Sequence, residues 1–294
     1  MSGNRLPEAT PEQVAKLDPG SRRRLLWRLR QRSNPGAWFL PASAIRQEAE
    51  VDLFCFPYAG SGASTFHRWQ HLDGGDGRFR VLPVQLPGRE NRLAEPPHRR
   101  MAGLVDDLVG ALVTVMDRPF AFFGHSMGAL IAYEVACALR SRGLPQPAYL
   151  MLSAFRAPHL PSTNIRIYHL PDEVLKIVLA KDGMAPDVLS NDALMSALLP
   201  TLRADLELCD TYEYMHRAPL DVPIAVFGGE RDVRVGRNDL IGWREHTTAG
   251  FDLTVFPGDH LYLHPAARVL VLEIRRRLSP LFQPDSSING GDVA

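Results

Sequence analysis

Residues 119–129 read Pro-Phe-Ala-Phe-Phe-Gly-His-Ser-Met-Gly-Ala. Pro119–Phe123 is a short apolar run that predicts a buried strand, and Ala129–Arg140 beyond it has helical spacing. Between them stands Gly124-His125-Ser126-Met127-Gly128, a G-x-S-x-G pattern in the strand-to-helix setting its chemistry requires. A turn this tight forces its central residue into strained backbone angles. Small residues two positions either side of Ser126 avoid the resulting clash. The turn lifts the Ser126 hydroxyl above the strand ends, and the helix N-terminus behind it favours developing negative charge.

Working outward, the same alternation recurs. Val51–Phe56, Phe79–Val84, Ala148–Ser153, Val222–Phe227 and Asp252–Phe256 are further strand candidates. Several are apolar nearly throughout, as expected of strands buried on both faces of a parallel sheet. Met101–Met116, Gly236–His246 and Ala266–Leu278 are helix candidates between or after them. Strands alternating with helices predict an α/β fold with a mostly parallel open sheet covered on both sides. One interval breaks the rhythm. From about 159 to 217 there is no strand candidate, but Pro171–Lys181 and Asn191–Tyr214 have helical spacing, with Asp172 and Asp192 at their N-terminal ends. A helical lid inserted between two strands is expected there, against the alternative of a helical layer packed for stability alone.

Composition sets the class. The chain has 294 residues, of which 45% are hydrophobic and 22% charged, in the globular range. Lys+Arg and Asp+Glu each number 33, and this balance argues against a dedicated nucleic-acid binder. No apolar run is long enough to span a membrane, and residues 1–20 carry no apolar signal region. Cys55, Cys137 and Cys209 are too few and too scattered for a disulfide framework, so buried reduced thiols and a cytoplasmic protein are expected. No His/Cys/Asp/Glu cluster has metal-ligand spacing, and neither a metal nor a cofactor is expected. The tail, 283–294, is rich in Gly, Ser, Asn and Asp and is expected to be disordered.

A serine hydroxyl is a weak nucleophile and needs a base held by an acid. His260 lies in Phe256-Pro257-Gly258-Asp259-His260, a short loop between the last strand and the last helix, and is the candidate base. His264 lies four residues on, His125 sits inside the elbow with its side chain expected to point away from the hydroxyl, and His246 ends a helix candidate. Asp232, in Phe227-Gly228-Gly229-Glu230-Arg231-Asp232, is the candidate acid. Glu230, nearer the strand, is its main rival; Asp239 and Asp259 are placed less well. An oxyanion hole needs two backbone N–H donors. Met127, after the nucleophile, supplies one. The other is expected from Ala59, with Tyr58 adjacent, in the Gly-rich turn Pro57–Gly62 that follows the first strand.

These pieces together resemble the type II thioesterases, free-standing α/β-hydrolases that accompany modular polyketide synthases and nonribosomal peptide synthetases. The resemblance is carried by Leu53-Phe54-Cys55-Phe56-Pro57-Tyr58-Ala59-Gly60, by Gln85-Leu86-Pro87-Gly88-Arg89-Glu90-Asn91-Arg92, by Phe123–Ala129, by Trp69 and by the Asp232 and His260 segments. It covers about 52–282, and the Leu-Pro-Gly-Arg-Glu stretch makes it more specific than a generic hydrolase match. Ser61 stands where the family has a second glycine. The resemblance implies an α/β-hydrolase fold and hydrolysis of acyl groups from the phosphopantetheine arm of acyl or peptidyl carrier protein domains. Editing and product release are both open, Tyr58 is expected to touch substrate, and a monomer is expected. The same triad would serve a carboxylesterase or lipase, or an acyl-enzyme released by cyclisation or by transfer to another nucleophile. A non-catalytic interaction protein of the same fold is the remaining alternative. The Arg89–Arg92 charge run is expected to hold a loop by ion pairs or to shape the pantetheine entrance.

Residues 1–47 lie outside the family's compact domain, taken here as 48–282. Arg22, Arg23, Arg24, Arg28 and Arg30 flank Leu25, Leu26 and Leu29 in a short basic amphipathic helix candidate. A docking arm for an acidic carrier protein and a helix covering an apolar patch are the two expectations.

Overall fold

A computed structural model of the chain describes residues 38–39, 49–72, 77–161, 166–181 and 186–282. The expected helix near residue 25 and the expected disordered tail lie outside the described residues. Six strands form one sheet: β1 (Val51–Phe56), β2 (Phe79–Pro83), β3 (Phe120–His125), β4 (Tyr149–Ser153), β5 (Ile224–Gly229) and β6 (Phe251–Phe256). Their order is β2-β1-β3-β4-β5-β6, and every neighbouring pair runs parallel. The helices are α1 (Met101–Leu112), α2 (Met127–Ser141), α3 (Asp172–Lys181), α4 (Pro186–Leu189), α5 (Asp192–Asp210), α6 (Arg237–Ile241) and α7 (Ala267–Leu278).

The period-two geometry of a strand sorts its apolar residues onto two faces. Phe54, Phe56, Phe120, Phe122, Ile224 and Val226 pack with the buried faces of α1 and α2 on one side. Leu53, Cys55, Ala121, Phe123, Ala225 and Phe227 pack with α7 and with Phe66 and Trp69 on the other. This explains why β1 and β3 are fully buried and apolar nearly throughout. The chain leaves β1 toward β2 on one side and returns to place β3 on the other. Ligand crevices form where strand order reverses in this way, above the carboxyl ends of β1 and β3.

Between β4 and β5 the described chain carries α3, α4 and α5 and no strand. Leu175, Leu179, Met195, Leu199, Leu202 and Leu206 form a third apolar cluster, against which Ala59 packs. Asn191 caps α5 by accepting from the Leu194 amide at 3.0 Å. That helix runs through Pro200, which is exposed.

Several expected element ends shift: β5 runs Ile224–Gly229 where Val222–Phe227 is expected, α1 ends at Leu112 and not at Met116, and two further differences have a visible cause. β3 extends two residues past Phe123, because Gly124 and His125 pair with Leu152 and Ser153 of β4. The expected helix 236–246 splits into α6 and a 3₁₀ turn, Gly242–His246. A Cβ at Gly242 would lie only 2.9 Å from the Ala157 methyl, so the chain passes close to the loop after β4 there. The tighter turn brings both Trp243 and His246 inward, and the Trp243 indole donates to the Phe155 carbonyl at 2.8 Å. Trp38 and Phe39, within the segment assigned to the extension, lie on the sheet domain. Phe39 bridges Val84, and the Arg92 guanidinium stacks 4.2 Å from the Trp38 ring centre.

Candidate active site

Ser126 sits between β3 and α2 with φ 52° and ψ −122°, in the strained region expected of an elbow. A Cβ on Gly124 would come within 2.1 Å of the Gly128 carbonyl oxygen, and one on Gly128 within 2.1 Å of the Phe56 carbonyl oxygen. No side chain fits at either place, which is why glycine flanks the serine on both sides.

His260 reaches back over the sheet from the loop between β6 and α7. Its Nε2 lies 3.0 Å from Ser126 Oγ, and its Nδ1 lies 2.8 Å from Asp232 Oδ2. The second Asp232 oxygen accepts from the Arg234 and Val235 amides at 2.8 and 3.2 Å. The Asp232 side chain is 1% exposed, so both oxygens are held away from water. The structure therefore brings Ser126, His260 and Asp232 into one chain of hydrogen bonds. Glu230 is exposed on the loop between β5 and Asp232 and takes no part in that chain.

Met127 opens α2, so its N–H is among the four helix amides without an intrahelical acceptor. Ala59 and Tyr58 line the same pocket as Ser126 and His260. That pocket has a volume of about 440 Å³, and Leu179, Val188, Leu202 and Leu206 of α3–α5 supply its apolar wall. Ser126 and His260 thus open onto an apolar chamber of the size that holds a small organic group.

Three features of the site were not legible from its motifs. His125 is fully buried, and burial holds its imidazole well below the usual histidine range, hence neutral. Its Nε2–H donates to the His260 carbonyl at 2.9 Å. The Nδ1 then accepts from the Ser153 hydroxyl at 2.7 Å, and Ser153 accepts from Tyr262 at 2.5 Å. Both ring nitrogens of this elbow histidine are engaged away from the Ser126 hydroxyl, and the ring pins the loop that carries His260. Second, Tyr58 and His264, both lining the pocket, are hydrogen-bonded to each other at 3.0 Å. His264 lies in the turns before α7, where burial lowers its imidazole below the ordinary value. Third, Arg89 reaches Asp205 of α5, a partner 116 positions away that no local pattern discloses. The rest of the charge run does hold loops by ion pairs and hydrogen bonds: Arg92 pairs with Glu95, and Glu90 accepts from Ser64.

Known proteins resemble this chain in sequence and in fold. Residues 51–278 match the family described as a thioesterase domain. The chain is 37% identical over 253 residues to the gramicidin S biosynthesis protein GrsT of Aneurinibacillus migulanus, covering 86% of this chain and 98% of that one. RedJ, a thioesterase from the prodiginine biosynthetic pathway of Streptomyces coelicolor, superposes with a TM-score of 0.73 at 39% identity, over 79% of this chain and 87% of that one. BorB, the type II thioesterase from the borrelidin biosynthetic cluster, gives a TM-score of 0.75 at 33% identity, over 82% and 98%. With the matched segment spanning the whole sheet and the elbow, the chain belongs to the thioesterase domain family and is a thioester hydrolase of α/β-hydrolase fold.

Proposed function

We propose that this thioesterase acts on acyl groups carried on the phosphopantetheine arm of polyketide or nonribosomal peptide carrier proteins, for editing or product release. The observation that carries the reading is the single apolar chamber joining Ser126 and His260 to the wall of α3–α5. His260 Nε2 takes the Ser126 proton as Oγ attacks the thioester carbonyl. The Met127 and Ala59 N–H groups receive the oxyanion. Asp232 holds His260 in the tautomer that presents Nε2 to the serine and stabilises the imidazolium. Collapse of the tetrahedral intermediate breaks the carbon–sulfur bond, and His260 returns its proton to the departing thiol. Water, deprotonated by His260, then attacks the Ser126 acyl ester, and the carboxylic acid leaves as Oγ is reprotonated. These steps consume one water and need no cofactor. Tyr58 touches the substrate near the pocket mouth, paired with His264.

Binding energy from a carrier protein remote from the thioester can be used in the transition state. Carrier-bound acyl thioesters are therefore expected to exceed the matching free pantetheine thioesters in kcat/KM by about tenfold or more. Equal efficiency on both would overturn carrier recognition while leaving thioester hydrolysis standing. The helices between β4 and β5 serve as the lid of this chamber, and the enzyme works as a cytoplasmic monomer.

A further inference from the structure

We infer that Asp205, on α5, is a positioning residue for the oxyanion hole: it locks the peptide plane next to Ala59 and so couples that donor to the seating of α5. The inference rests on the Ser126 mechanism proposed above. Asp205 is 2% exposed and Arg89 5%. Arg89 grips the carboxylate with two hydrogen bonds of 2.7 Å, one to each oxygen. Asp205 Oδ2 also accepts from the Gly60 amide at 2.8 Å. The same Arg89 nitrogen that meets Oδ2 donates to the Ser61 carbonyl at 2.9 Å.

The consequence for Ala59 follows from peptide planarity. Its N–H shares a plane with the Tyr58 carbonyl, which accepts from the Ser61 amide at 3.0 Å and from the Ser61 hydroxyl at 2.9 Å. Its carbonyl shares a plane with the Gly60 N–H, which Asp205 holds. Both planes flanking Ala59 are thus fixed, the first by the local turn and the second by the helix. The Ser61 carbonyl, held by Arg89, closes the turn. Gly60 has φ +78°, and a Cβ there would lie 3.0 Å from Leu202 Cδ1, so α5 also presses directly on the loop. Leu202 and Leu206 of the same helix line the chamber beside Asp205. One helix therefore meets the acyl group and sets the donor. A buried ion pair is a weak source of stability compared with apolar residues of similar volume, but it fixes geometry through direction and charge.

That contrast supplies the test. Asp205→Ala strands the Arg89 charge and loses the acceptor for Gly60. The double change Arg89→Met with Asp205→Leu removes the charge and fills the space but still offers Gly60 no acceptor. Turnover is measured on decanoyl-N-acetylcysteamine, which needs no carrier protein. Affinity is measured for a decylthio trifluoromethyl ketone, whose adduct with Ser126 places an oxyanion in the hole. The single variant is expected to lose thermal stability and about 10²-fold in kcat, with KM changed less than about threefold. The double variant is expected to regain the melting temperature but not kcat. In both, the ketone's Ki is expected to rise in proportion to the fall in kcat/KM. Recovery of kcat together with stability in the double variant, or an unchanged Ki in either, would overturn the positioning role. A wild-type protein that neither turns over the thioester nor binds the ketone would instead overturn the mechanism itself.

Discussion

Replacing Gly128 by alanine adds one methyl group at the most crowded point of the site. The new Cβ would stand 2.1 Å from the Phe56 carbonyl oxygen, 2.6 Å from its carbon and 2.8 Å from the Pro57 carbonyl oxygen. Ordinary carbon–oxygen approaches begin at about 3.3 Å. All three atoms are backbone, so no rotamer change relieves the contact. The start of α2 and the end of β1 must separate by more than about 1 Å. Met127 lies on one side of that gap and Ala59 on the other, so the two proposed oxyanion donors move apart. A misplacement of about 1 Å costs on the order of 10²-fold in rate, or roughly 2.7 kcal/mol of transition-state stabilisation. Overpacking a tight core costs about 1–3 kcal/mol of stability besides. Gly103 gives the matched control. It is exposed in α1, and a Cβ there meets nothing nearer than 3.6 Å. Glycine-to-alanine in a helix interior is stabilising by about 0.5–1 kcal/mol, which sets an upper bound of roughly 1–4 °C for Gly103 in the first turn of α1. Turnover of decanoyl-N-acetylcysteamine and thermal melting on the two variants make the assay. Gly103→Ala is expected to keep wild-type kcat and melt slightly higher, and Gly128→Ala to lose about 10²-fold in kcat and melt lower. A Gly128→Ala enzyme with kcat within threefold of wild type would refute the close approach and the hole geometry drawn from it.

Ser126→Ala and His260→Ala are each expected to lower kcat by several orders of magnitude while leaving the fold intact, because the triad acts as a unit; wild-type turnover by either ends the mechanism. Asp232→Asn is expected to cost about 10⁴-fold in kcat by favouring the wrong His260 tautomer, while Glu230→Gln stays within about threefold; the reverse ranking would reassign the acid. His246 is 3% exposed, lies 2.9 Å from the Tyr133 hydroxyl and 2.7 Å from His159, and is pushed down to about 4, chiefly by burial. The unfolded chain binds that proton near pH 6.5 and the folded chain only near 4, so this contribution is complete above about pH 6.5 and lost as pH falls to 4. Denaturant melts of wild type and His246→Asn across that window are expected to show a flatter pH dependence in the variant, by up to about 3 kcal/mol; equal slopes would refute it. Trp38 and Phe39 are each 7% exposed, so Trp38→Ala or Phe39→Ala is expected to cost about 3–5 kcal/mol of stability. Melting of a 1–36 deletion beside a 1–47 deletion then separates those anchors from the basic arm, and equal melting temperatures would discard the anchors.

What the sequence discloses and what it hides divide along a physical line. The sheet was legible because burial on both faces makes Phe120–Phe123 or Ile224–Phe227 apolar without interruption, a signal carried by consecutive residues. Ser126 and His260, which the structure brings within 3.0 Å of each other, could be picked out because an elbow demands Gly124 and Gly128, and because the loop after the last strand is short enough to leave few histidines to choose among. Strand and helix ends were less legible. Gly124 and His125 read as turn but pair as strand, because the ladder to β4 decides it and not propensity. The split at Gly242 depends on Ala157, eighty-five positions earlier, which no periodicity announces.

The sequence is most silent on the groups that hold the proposed catalytic residues rather than react. Ser126, Asp232 and His260 each announce themselves through local chemistry. His125, Ser153, Tyr262, Arg89 and Asp205 act on them only through contacts between distant segments. Their side chains are ordinary in sequence and decisive in place. The His125 ring holds the His260 carbonyl from the carboxyl end of the interior strand β3, and the Asp205 carboxylate holds the Gly60 amide from α5. The two supports belong to different elements. Loss of the first is expected to displace His260 and so slow both proton transfers, whereas loss of the second leaves His260 in place and weakens only oxyanion binding. His125→Asn should therefore lower kcat on esters and thioesters alike and leave the ketone's oxyanion contacts less affected than Asp205→Ala does. Equal losses in ketone affinity from the two variants would mean that the base loop and the oxyanion loop move as one body, and that the separation drawn between them is wrong.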